Sequence, residues 1–135
     1  MSMFVGTAGE TWWRLMPGSV GTTCIVLDIN KTAWTWGRGD YGALGIEYVI
    51  NRGSPVPVFG GHTFVRVASS VYHSIGIRTD GTAWAWGGYP TNNWGQLGNN
   101  TLDPSTTPIS VVGGHSFVRV AAGYAHSIAI RGSDG

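Results

Sequence analysis

Lysine occurs once in this sequence, at Lys31, and cysteine once, at Cys24. A single cysteine excludes an intramolecular disulfide and a cysteine-rich metal site. Inside the apolar run "GTTCIVLDI" it reads as a small buried hydrophobe rather than a reactive thiol. Charged residues make up only 11% of the chain, less than half the usual share, so long surface helices laced with Lys, Glu and Arg are not expected. The eight basic and seven acidic residues are scattered, leaving a net charge of +1. Without a cluster of cations to displace counterions, direct nucleic-acid binding is not expected. No stretch approaches the roughly 18 apolar residues of a membrane-spanning helix, and "MSMFVGTAGE" has neither a basic leader nor a sustained apolar core. The chain therefore reads as soluble, made in a reducing compartment, and cytoplasmic or virion-associated.

What the sequence does have is glycine and tryptophan, 22 and seven in 135 residues. Abundant glycine suits short strands joined by tight turns, and the expected class is all-β. Periodicity is the first thing to seek in such a chain. "TAWTWG" at 32–37 returns as "TAWAWG" at 82–87, an offset of 50. "GALG" at 42–45 returns as "GQLG" at 95–98, and "GGHTFVRVASSVYHSIGIR" at 60–78 as "GGHSFVRVAAGYAHSIAIR" at 113–131, both offset by 53. The extra three residues fall between "WGRGDYG" and "WGGYPTNNWG", where a surface loop tolerates an insertion. A degenerate copy begins at Thr11, with Asp28 standing where the later copies carry Arg78 and Arg131, and Thr23 where they carry His73 and His126. The chain divides accordingly into an extension (1–10), a degenerate first repeat (11–59), a second repeat (60–112) and a half repeat (113–135).

Each repeat reads as four short strands. "FVRV" (64–67) and "HSIGI" (73–77) are separated by a small-residue turn, and "TAWAW" (82–86) is entered through the turn Thr79-Asp80-Gly81. A fourth strand is expected around "PVPVFG" (55–60), restricted by its prolines to an edge. Four strands per roughly 50 residues is the composition of a β-propeller blade.

These motifs resemble the regulator of chromosome condensation repeat family. The pattern is carried by Val67, His73, Ser74, Asp80, Gly81, Trp84, Trp86, Gly87, Gly95, Gln96, Leu97, Gly98 and Pro108, and again by Val120, Gly123, His126 and Ser127. The resemblance implies a propeller, usually of seven blades, of which this chain holds about two and a half. Met1 reads as a start and the last repeat as half built, so completion by further copies or another propeller-repeat chain is expected. The alternative is a fragment of a larger propeller, such as a nucleotide-exchange-type regulator. The near-identical copies suggest a phage or bacterial member with a structural role in a virion or at a surface.

No nucleophile–base pair, paired carboxylates or phosphate-cradling loop stands out, so neither enzyme activity nor a cofactor is expected. Repetition makes His73 and His126 structural, bonding neighbouring groups, rather than metal ligands. His62 and His115 fall in the blade-to-blade "GGH" turns. Trp34, Trp36, Trp84 and Trp86 alternate on strands, and packing of blade against blade explains them better than an aromatic cage. "GRGD" (37–40) contains a cell-attachment tripeptide that chance readily supplies in a glycine-rich chain, and Asn30 and Asn99 fit the glycosylation pattern without a secretory context. The least repeat-like loops, with Arg38, Asp40, Tyr41, Tyr89, Asn92, Asn93 and Trp94, combine residues typical of protein recognition. They are the candidate partner-binding surface, for a target protein or, in the second reading, a glycan.

Overall fold

A computed structural model describes residues 23–90, 94–124 and 126–132. The strands are β1 (Thr23–Leu27), β2 (Ala33–Gly37), β3 (Arg52–Pro57), β4 (Phe64–Ser69), β5 (His73–Arg78), β6 (Ala83–Gly87), β7 (Ser105–Ser110), β8 (Phe117–Ala122) and β9 (Ser127–Arg131). They form three antiparallel sheets in chain order: β1-β2-β3, β4-β5-β6-β7 and β8-β9. The middle sheet is a complete four-stranded blade. The aligned first strand of the first repeat, near Thr11, lies outside the described residues.

The turn chemistry follows the repeat. Leu27 pairs with Ala33 and Ile77 with Ala83, so both hairpins span five residues. The last-but-one loop position needs a left-handed backbone in each, φ +88° at Gly81 and φ +65° at Lys31. Glycine adopts this without strain; Lys31 adopts it because Asp28 secures the turn. The Asp28 carboxylate accepts hydrogen bonds from the amides of Asn30 (2.8 Å) and Thr32 (2.9 Å) and from Trp34 Nε1 (2.9 Å).

The fourth strand lies three residues earlier than the sequence predicts, at 52–57 rather than 55–60. A register shift between Thr35 and Gly37 brings Gly37 opposite Arg52. Val58 and Phe59 then leave the strand. The Val58 amide donates to Ala33 O (2.9 Å) and the Phe59 amide to Gly45 O (2.7 Å), while the Val58 side chain is buried. Pro55 and Pro57 are tolerated because β3 pairs only with β2.

The core lies between successive sheets. Ile25, Leu27, Ala33 and Val58 of the first sheet's repeat close on Phe64, Val67 and Trp86 of the second. A second cluster joins Ala68, Ile75, Ala85 and Leu97 to Val120 and Ala122 of β8. The middle blade thus buries one face against the blade before it and the other against the blade after. That is the propeller-blade arrangement, here with an unclosed ring.

Candidate functional site

Two features come from the loops at the ends of the Trp-x-Trp-Gly strands. The first is the joint between blades. In the loop Gly42–Gly45, the Ala43 carbonyl accepts two bonds from the next blade: Ser74 Oγ at 2.7 Å and Trp86 Nε1 at 2.9 Å. Ser74 and Trp86 are cross-strand partners, so one carbonyl anchors two strands at once. Gly45 admits the indole, since a Cβ there would lie 2.6 Å from Trp86 Nε1.

The pattern repeats one blade on, where Ser127 Oγ donates to Gln96 O at 2.8 Å. His73 ties the same junction together. Its Nε2 lies 2.8 Å from Ser127 Oγ and its Nδ1 lies 3.1 Å from Ser70 Oγ. Because the Ser127 hydroxyl hydrogen is committed to Gln96 O, Nε2 is the protonated ring nitrogen, and Nδ1 accepts. Burial pushes the His73 pKa down to about 4, against a weaker upward pull from the His126 backbone. His73 is thus neutral at physiological pH. His126, its counterpart, is exposed and lies over Gly123.

The tryptophans divide by role. Trp86 is fully buried and meets Phe64 at 5.8 Å between ring centres, whereas Trp84 is half-buried at the edge of the same core. Trp34 and Trp36 are half-buried. His62 packs against Trp84 at 4.7 Å and Phe64 at 5.9 Å, following the glycine turn as expected for a blade connection.

The second feature is an aromatic rim. Tyr41 and Tyr72 rings lie 4.5 Å apart, Tyr72 and Tyr124 4.9 Å, and Tyr72 and Trp94 6.5 Å. The Tyr72 and Tyr124 hydroxyls share a hydrogen bond of 2.9 Å, which with burial pushes the Tyr72 phenol up to about 12. Arg38 sits over the Tyr41 ring at 4.8 Å, donates to its hydroxyl at 3.2 Å and pairs with Asp40 at 2.8 Å. The cell-attachment tripeptide is therefore folded on itself, with Gly39 held by Asn51 Oδ1 at 2.9 Å and too crowded by Ile50 and Leu44 for any Cβ. Tyr89 joins through its amide to Tyr41 O at 3.0 Å. Asn92 and Asn93 lie outside the described residues.

Sequence reasoning missed Tyr72 and Tyr124, which form the centre of the rim. Both lie in the turn between a blade's first two strands. In an antiparallel blade that turn shares an end with the loop after the third strand, so topology could have found them. Among the described residues there is no metal-ligating cluster and no helix long and apolar enough to cross a membrane.

Comparison with known proteins agrees with this architecture. The regulator of chromosome condensation (RCC1) repeat matches residues 32–77 and 80–130, and a second form of that repeat matches 64–93. The human E3 ubiquitin-protein ligase HERC2 is 36% identical over 109 residues, spanning 78% of this chain but only 2% of that protein. Human WBSCR16 superimposes with a TM-score of 0.66 at 23% identity, over 84% of this chain and 30% of that one. Yeast RCC1 (Prp20), solved bound to Kap60, gives 0.65 at 18% identity, over 88% and 32%. The chain thus spans a minor part of each relative. Two successive matches, in register with blades joined through the same serine-to-carbonyl bond, place this chain in the regulator of chromosome condensation (RCC1) repeat family.

Proposed function

We propose that the chain is a non-enzymatic propeller module that works by protein association, its last sheet extended by blades of another copy or another propeller-repeat chain. One contrast carries this reading. Ile75 and Ile77 of β5 are 2% and 0% exposed, whereas their counterparts Ile128 and Ile130 of β9 are 56% and 57% exposed. The same sequence pattern is core in one blade and open surface in the next, and apolar surface of that kind marks an association site. A structural role in a virion or at a surface is one setting for such a module. A piece of a larger RCC1 propeller, as in the relatives, is another.

The aromatic rim favours a second reading, in which the loops grip a target protein. Tyr72, Tyr124 and Trp94 stand together at an exposed edge, and aromatic side chains anchor interfaces. The yeast RCC1 structure, bound to Kap60, is a family member with a protein partner.

The test is the solution mass of the full chain by light scattering, alone and mixed with candidate propeller-repeat proteins. A discrete complex is expected. A folded chain that stays monomeric in every mixture overturns the association reading.

A further inference from the structure

The joint between the first two blades has a counterpart at the third that is only half filled. At the first, Gly42–Gly45 receives both Ser74 and Trp86. At the second, Gly95–Gly98 receives Ser127, and among the described residues no indole follows it. In its place lies a cleft of about 250 Å³ lined by Gly95, Gln96, Gly98, Val111, Ser127 and Ile128, among others. For scale, a dry apolar cavity of about 150 Å³ accommodates benzene, so the cleft has room for a bicyclic ring. Its wall carries a buried polar atom, Gln96 Oε1, that has no hydrogen-bond partner. Among the described residues β9 pairs with β8 alone.

We propose that this cleft is an indole socket. It takes the second tryptophan of an extended Thr-Ala-Trp-x-Trp-Gly strand, presented in trans by another propeller-repeat polypeptide and added along β9. The register is set by the preceding blade. Ser74 faces Trp86 across β5 and β6, so the incoming tryptophan faces Ser127, and its Nε1 donates to the Gln96 carbonyl beside the Ser127 hydroxyl. Gly98, with φ +63°, matches Gly45 with φ +69° in leaving room for the ring. A folded second copy is not the donor. Its β2 lies between β1 and β3, and its β6 between β5 and β7, so neither Trp-x-Trp-Gly strand has an edge to offer. The socket rests on the association reading and specifies what is grasped.

A fluorescein-labelled peptide with the sequence of residues 79–88 is the probe, titrated against the full chain by fluorescence polarisation. Saturable binding is expected, weakened at least about tenfold when alanine replaces the second tryptophan and much less when it replaces the first. Ile128→Glu, at an exposed position on the cleft wall, weakens binding similarly while circular dichroism stays as in the parent. No saturation by about 1 mM, the weak end of specific binding, overturns the socket, as does equal binding of the two alanine peptides. The two alanine peptides are compared on the unaltered chain, so the outcome stands even if the Ile128 variant misfolds. Indole-dependent binding by a chain that stays monomeric in every mixture upholds the socket and removes the association reading. A discrete complex formed by a chain that ignores the peptide does the reverse.

Discussion

Trp86 serves two purposes: its ring fills the gap between the first two sheets, and its Nε1 holds the Ala43 carbonyl. Replacement by alanine removes both, and Trp86→Ala is expected to cost about 3–5 kcal/mol in urea unfolding, the range for a large buried aromatic. Trp34→Ala, at a half-buried position, costs clearly less. Equal losses at the two positions would contradict a joint built on Trp86. His73 gives a pH signature. Its folded pKa, lowered to about 4 by burial, lies below the ordinary value near 6.5, so the unfolded chain takes up the proton first as pH falls. Stability is therefore full above about pH 6.5, declines toward pH 4, and loses nothing further from this group below that. The whole effect is about 3 kcal/mol at 1.36 kcal/mol per pH unit. His73→Gln is expected to flatten most of the slope between pH 6.5 and 4, leaving the smaller part due to His62, which burial also pushes down. An unchanged slope in the variant would show that His73 titrates normally in the fold.

Among the elements, the two hairpins solve one problem with opposite charges. In the β5–β6 hairpin Arg78 lies over the Trp84 ring at 5.1 Å, and the indole donates to Thr82 Oγ1 at 3.0 Å. In the β1–β2 hairpin the arginine is replaced by Asp28, which takes the indole hydrogen itself. Burial alone would raise the Asp28 pKa, but the bonds from Trp34 and the Thr32 and Asn30 amides outweigh it and hold it below the usual range. Asp28→Ala leaves three donors to water and Lys31 in a left-handed turn, so a loss of about 1–2 kcal/mol is expected in thermal or urea unfolding. Asp28→Ala, Lys31→Gly recovers part of it by relieving the backbone. These elements also separate what is legible in the sequence from what is not. Repeated anchors such as Trp86, His73 and Gly45 locate the strands and turns, because each repeats a local requirement. The substitution of Asp28 for arginine is visible in the sequence, but its compensation is not, since that depends on which atoms meet across the turn. The fourth strand is displaced from its expected place because its boundary is set by Val58 entering the core, a tertiary demand absent from local pattern. The rim is half legible: Arg38, Tyr41 and Trp94 stand out as loop residues. Tyr72 reads as repeat framework, and only the antiparallel return of the chain brings it among them.

At the scale of the molecule, protection should be graded along the chain, because each blade is stabilised by its neighbours. The middle sheet is covered on both sides, by the first core cluster toward β1–β2 and by the second toward β8. The last sheet has one covered side, and Val118, Ile128 and Ile130 remain exposed on its two strands. In a stack of this kind stability is close to a sum of unit and nearest-neighbour terms, so a unit with one neighbour opens first. Amide hydrogen exchange is therefore expected to be slowest in β5 and β6 and fastest in β8 and β9, although β9 carries nearly the sequence of β5. Sequence propensity alone predicts equal rates for the two, so the difference measures the missing neighbour. The same experiment then reads out completion. A partner that extends the last sheet slows exchange in β9 toward the rate of β5, while one that binds only the aromatic rim slows the turns around Tyr72 and Tyr124 and leaves β9 fast. Equal exchange of β5 and β9 in the isolated chain would mean that the exposed isoleucines of β9 are already covered, and that the last sheet is not where association occurs.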